Sequence, residues 1–143
     1  MKTRRLIREH LANLIRVHAE HAKAVYDYQV GDFVDGSPVV AVTSAGSHRQ
    51  PFTFKGSRPT FFLNIEVFVL YADPDATPVW TEADAEDAID ALEMEIADAI
   101  SGHVTEEGYW SHMKYETRSL VSTIVLDGTT YLWEVIPVEV EVL

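Results

Sequence analysis

There is no cysteine in these 143 residues. That excludes disulfides, thiolate-bound zinc and thiol catalysis. Basic residues are scarce as well: 11 Lys and Arg against 23 Asp and Glu leave a formal net charge of −12. A chain this acidic is a poor general ligand for nucleic acid, because phosphate contacts need clustered Lys and Arg. No apolar run approaches the ~20 residues needed to span a bilayer. The N-terminal MKTRRLIREH also lacks the uncharged core of a signal peptide. The expectation is a soluble protein of the cytoplasm with no membrane partner. What is present, 47% hydrophobic residues in a chain of this length, suffices for one domain with a substantial core. No internal repeat or linker divides residues 1–143.

The charge is unevenly placed. Residues 1–23 hold six of the eleven basic residues and only two acids, whereas residues 73–107 hold twelve acids and no base. Such polarity suits head-to-tail contact with copies of the same chain or with other shells of an assembly.

The most legible stretch is 81–101, TEADAEDAIDALEMEIADAIS. Thr81 stands at an N-cap position with Asp84 three residues on, an approximate capping box, and Trp80 can staple back onto Ala85. Ala85, Ala88, Ile89, Leu92, Ile96 and Ile100 recur at helical spacing and predict one apolar face. Gly102 marks the stop. The other face carries eight acids and no base. Like charges at three- and four-residue spacing, such as Glu82/Glu86 and Glu86/Asp90, cost roughly 0.2–0.5 kcal/mol each. A plain solvated face is one explanation; a negative surface that meets a positive partner is the other.

Residues 3–23 read as a first helix, apolar at Leu6, Ile7, Leu11, Leu14 and Val17, with Arg5, Arg8, Arg16 and Lys23 opposite. His10, His18 and His21 fall on its apolar side, which points to hydrogen-bonded histidines at the border of the core or at a subunit contact. His18 and His21 lie one turn apart, but two ligands without a third make no metal site. Strands are expected at 24–28, 38–43 and 60–71. The last, TFFLNIEVFVLY, sets Leu63, Ile65, Val67 and Val69 on one face as a floor for the acidic helix.

Residues 44–59 are rich in Ser, Gly and Pro, with Arg49, Lys55 and Arg58 and no acid, and read as a long protruding loop. Phe52 and Phe54, two apart, hint that it stands out as a hairpin. Residues 103–116 read as irregular. Strands at 117–126 and 129–142 form a hairpin closed by Asp127-Gly128, and Pro137 marks an edge or a bulge. The fold class that follows is α+β: a mixed, mostly antiparallel five-stranded sheet with two helices on one face, in the order helix, three strands, helix, two strands.

No phosphate-binding loop, dinucleotide fingerprint or nucleophile elbow occurs. Ser47-His48 has no acidic partner near it in sequence, so no hydrolase follows. The expectation is a non-enzymatic protein with no catalytic, cofactor-binding or metal-binding residues. Its surface candidates are Arg5, Arg8 and Arg16 on the first helix, Glu82, Glu86, Asp90 and Glu93 on the second, and Arg49, Lys55 and Arg58 in the loop.

Several phrases together carry a resemblance. They are Leu6 to Leu14 in a basic N-terminal helix, the strand VYDY, then SPVVAVTSAGS, then FFLNIEVFVLYAD followed by WTEADAEDAIDALE, and the closing GTTYLWEVIPVEVEV. Over nearly the whole chain they resemble the tail terminator (tail-to-head joining) proteins of long-tailed bacteriophages and prophage-derived particles. The resemblance implies a structural virion protein with a sheet flanked by helices. It would form a homohexameric ring that caps the tail tube, ends tube polymerisation and docks the head connector. Its partners would be itself, the tail tube protein and a head-connector or head-closure protein. DNA would pass through the ring without sequence-specific contact. The place of action would be the neck end of the virion tail, reached from the host cytoplasm during assembly. Other readings are a different neck component (head-closure or adaptor protein), a small-molecule binding protein or enzyme on an α+β sandwich, and an acidic mimic of DNA.

Overall fold

The computed structural model describes residues 2–31, 33, 36–52, 56–116 and 118–142, with the backbone alone at 50–52 and 56–58. Helix α1 (Arg4–His18) leads into a short β1 (Ala24–Tyr26), then the long β2 (Val39–Phe52) and β3 (Gly56–Leu70). Helix α2 (Glu82–Gly102) follows, then β4 (Trp110–Tyr115), β5 (Leu120–Leu126) and β6 (Thr129–Val142). The sheet runs β1-β2-β3-β6-β4, with β5 also paired to β6. Only β1 and β2 are parallel. The α+β class and mixed, mostly antiparallel sheet expected from the sequence are present.

Helix α2 starts where its residues dictate. Thr81 Oγ1 accepts from the Asp84 N–H at 3.3 Å, and the Asp84 carboxylate accepts from the Thr81 N–H at 2.8 Å, a complete capping box. Trp80 packs against the core that includes Ala85 and donates its indole N–H to the Leu70 carbonyl at 2.6 Å. Gly102 is the last helical residue rather than a left-handed cap; the cap is His103, at φ −134°.

Helix α1 ends at His18, five residues before the expected Lys23. Ala19, buried, turns the chain with its N–H on the Ile15 carbonyl, and the Lys23 N–H goes instead to the Pro38 carbonyl beside β2. Tertiary pairing here outweighs helical periodicity.

Ile7, Leu11 and Ile15 of α1 and Ile89, Leu92 and Ile96 of α2 share one core with Val40, Val42, Leu63, Ile65, Val67, Ile136 and Val138. Cross-strand partners such as Val40↔Val67 and Ile65↔Ile136 keep these side chains in step. The alternate set is also occupied. Phe68, buried, meets Phe33 at 4.8 Å between ring centroids and Trp133 at 6.2 Å. The carboxylate of Glu66, also buried there, accepts from Thr43 and from the Trp133 indole.

Two sequence expectations are corrected. Residues 44–59 are not a loop: β2 and β3 continue as a paired ribbon to Phe52↔Gly56, four residue pairs beyond the last β3–β6 pair at Thr60↔Glu141. A bulge between Ser44 and Gly46 interrupts the register of β2 shortly before the ribbon leaves the sheet at His48↔Thr60. The hairpin hinted at by Phe52 and Phe54 is present as far as the Phe52↔Gly56 pair; residues 53–55, Phe54 among them, lie outside the described residues.

Residues 103–116 are not wholly irregular either. Trp110–Tyr115 pairs with the far half of β6, so the fifth strand of the sheet is one path broken into β4 and β5. The break falls opposite Pro137, whose carbonyl accepts from Glu116. Proline has no N–H for a ladder, and the interruption leaves none required. The β5–β6 turn at Asp127 and Gly128 has φ of 50° and 79°, the primed type anticipated from Asp-Gly.

Candidate functional site

No enclosed constellation of polar groups dominates the described residues; the chemistry lies on the two outer edges of the sheet and on the ribbon. At one edge, α1 lies over β1. Arg16 donates to the Val25 carbonyl and Arg8 Nε to the Asp27 carbonyl, at 2.6 and 2.8 Å. The two arginines thus hold carbonyls of β1 and of the residue just beyond it. An open hollow of about 230 Å³ beside Arg16, lined by Glu9, Asn13 and Asp27, belongs to this arrangement. Arg8 Nη1 also donates to Ser44 Oγ, and Arg4 to Ser47 Oγ, which braces the base of the ribbon.

Arg5 forms an exposed ion pair with Glu9 at 2.9 Å. Arg49, on the ribbon, lies 5.8 Å from the Phe61 ring centroid. Lys55 and the side chain of Arg58 lie outside the described residues.

At the other edge stands β5. Leu120, Val121 and Val125 are each more than half exposed. Among the described residues β5 pairs with β6 alone. The two-residue turn makes Leu126↔Thr129 a hydrogen-bonded pair, so alternation directs the N–H and C=O groups of Val121, Thr123 and Val125 outward. Asp90 and Glu93 of α2 lie near Glu134 of β6, the residue paired with Val121 of this strand. Glu86, Asp90 and Glu93 follow one another at spacings of four and three along one side of the helix, and Glu82 lies exposed one turn before them.

Glu134 of β6, buried and paired to Val121, senses that flank. Burial raises its carboxyl above the usual carboxylate range, the Ser119 hydrogen bond opposes this, and Glu93 and Asp90 add to it. Tyr115 is likewise raised by burial, then by Glu93, Glu134 and Asp98.

Between the edges, histidines join α1 to α2 and its continuation. Glu106 accepts from His10 at 3.0 Å and from His103 at 3.1 Å. The His10 bond, the largest influence, holds the Glu106 carboxyl below its ordinary range. The His10 ring stacks on Tyr109 with centroids 3.6 Å apart. His18 bonds the Leu14 carbonyl, and His21 pairs with Glu95. The Glu95 hydrogen bond raises the His21 pKa, with its charge adding to the effect. His10 and His18 are thus hydrogen-bonded and partly buried, as their position on the apolar side of α1 predicted, whereas His21 lies beyond the end of the helix and is exposed. Among the described residues no group of three His, Asp or Glu is arranged to hold a metal.

The candidates from sequence thus separate. Glu86, Asp90 and Glu93 share one side of α2, Arg8 and Arg16 hold carbonyls at β1, and among the described residues no ion pair joins the two sets. Sequence reasoning missed the open side of β5, Glu134 beneath α2 and the His10–Glu106–His103 link. The first had a visible signal: LVSTIVL contains neither charge nor proline, the usual protections of an edge. Among the described residues no helix is long and apolar enough to cross a membrane. No model of a known protein family matches the sequence, and no curated protein matches it.

Proposed function

We propose that this chain is the repeating subunit of a ring that caps a phage tail tube, ends tube polymerisation and offers a docking surface to the head connector. The observation that carries the reading is the unlikeness of two surfaces: the open β5 edge, with Asp90 and Glu93 of α2 near its neighbour Glu134, and the paired ribbon of β2 and β3, which has basic residues and no acid. Unlike surfaces favour heterologous contacts, and heterologous contacts close into rings when the rotation per subunit divides a full turn. The basic ribbon that leaves the sheet beyond His48↔Thr60 provides a projecting element for an adjoining ring or tube. The resemblance of the helix, strand and hairpin phrases to tail terminator proteins supplies the biological setting: a hexamer at the neck end of the virion tail, with self, tube protein and connector as partners. No catalytic residue, cofactor or metal enters this function.

Tail length in particles whose gene for this chain is disrupted tests the proposal, measured by electron microscopy. Overlong, headless tubes are the expected outcome. Tails of normal length that fail to join heads would assign the chain to another neck component, a head-closure or adaptor protein. Normal infectious particles would remove it from the neck altogether.

A further inference from the structure

The open side of β5 needs a partner of particular chemistry, and three features narrow the choice. It offers outward backbone groups at Val121, Thr123 and Val125 beside the exposed side chains of Leu120, Val121 and Val125, so an extended segment fits it better than a helix. The β1 edge of a second copy is unsuited, because Arg8 and Arg16 already occupy its carbonyls. A second β5 in two-fold pairing is also unsuited. It would set two rows of Glu86, Asp90 and Glu93 side by side, each on a chain of net charge −12, and like charges brought together across an interface are costly. The remaining extended element with unpaired sides is the ribbon of β2 and β3. Beyond Ala41 nothing described pairs with the outer side of β2, and beyond Thr60 nothing described pairs with the outer side of β3. Residues 44–59 contain Arg49, Lys55 and Arg58 and no acid, the charge that the α2 flank lacks.

From this juxtaposition we propose that the β2–β3 ribbon of one copy adds as a strand to the β5 edge of the next, which brings a segment with three basic residues and no acid to the flank that carries Asp90 and Glu93. The contact is heterologous, so every subunit gives one ribbon and receives one. It rests on the self-association in the proposed function and on nothing else in it.

The natural absence of cysteine makes the test clean. Val121→Cys and His48→Cys variants of the full chain, distinguished by size tags, are mixed under oxidising conditions and resolved without reductant. The expected result is a mixed disulfide dimer, a ladder from the double variant, and little product from V121C alone. Self-linking of V121C as readily as the mixture would show edge meeting edge, and overturn the proposal. So would a monomeric wild-type protein in sedimentation, or assembly without any mixed product. Thr123→Pro gives an independent reading. It removes an outward N–H that β6 does not use, so the ladder should be lost while circular dichroism and the thermal melt stay native. A ladder unchanged in T123P would likewise overturn the contact. Assembly without the mixed link would leave the ring standing, because tail length judges the ring separately.

Discussion

Glu134 is where folding and surface charge pull against each other. It lies under α2, buried, with Ser119 as its hydrogen-bond partner and the charges of Glu93 and Asp90 nearby. Its folded-state pKa is raised, so its protonated form is the one the fold prefers. The associated stability is present below the ordinary carboxylate range and is lost as pH rises through the folded value. Glu134→Gln, which keeps shape and removes charge, should therefore raise the melting temperature at pH 7 and make no difference at pH 3. Thermal melts of the two proteins across that range check it; an equal or lower melting temperature for the variant at pH 7 would refute it. Glu106 has the opposite sign. Its lowered pKa stabilises the fold above the carboxylate range, and that contribution fades as pH falls through the folded value. Glu106→Gln should therefore destabilise at pH 7 and converge with the native protein in acid.

At the level of elements, α2 depends on its cap more than its composition suggests. Eight acids repel along its exposed side, and Asp98 near its C-terminus opposes the helix dipole. The reciprocal bonds of Thr81 and Asp84 offset part of this. Thr81→Ala should cost about 1 kcal/mol in a chemical denaturation experiment. A change below the error of the measurement would mean that core packing alone fixes the start of the helix.

This helix was legible from sequence because local signals agree: cap, period and stop all concern neighbours along the chain. The same holds for the Asp127-Gly128 turn and the alternation of Leu63, Ile65, Val67 and Val69. What was not legible depends on residues distant in sequence. Residues 47–49 carry no hydrophobic alternation because they are paired yet exposed, so composition alone read the stretch as a loop. β4 was hidden because its pairing is specified by Val138 to Val142, not by its own residues. Arg8 and Arg16 looked like surface charge until the fold brought the Asp27 and Val25 carbonyls beside them.

For the molecule as a whole, the separation of charge predicts how association responds to solution conditions. Contacts between an acidic flank and a basic ribbon are screened as the Debye length falls from ~10 Å at 0.1 M salt to ~3 Å at 1 M. Self-association measured by sedimentation should weaken over that interval, and Glu86→Lys with Asp90→Lys should weaken it already at low salt. Association that strengthens with salt would instead mark the apolar side chains of β5 as the dominant force.

The sheet order has a further consequence for how the chain comes to be folded. β6, built from residues 129–142, lies between β3 and the β4–β5 path, so the central partner of β3 is synthesised only after α2, β4 and β5. Until it arrives, β3 keeps one side open and the floor under α2 is incomplete. Closure of the core must therefore wait for β6, and a pairing this distant in sequence is slow to find. The ribbon, a local hairpin, can form well before the body from which it projects.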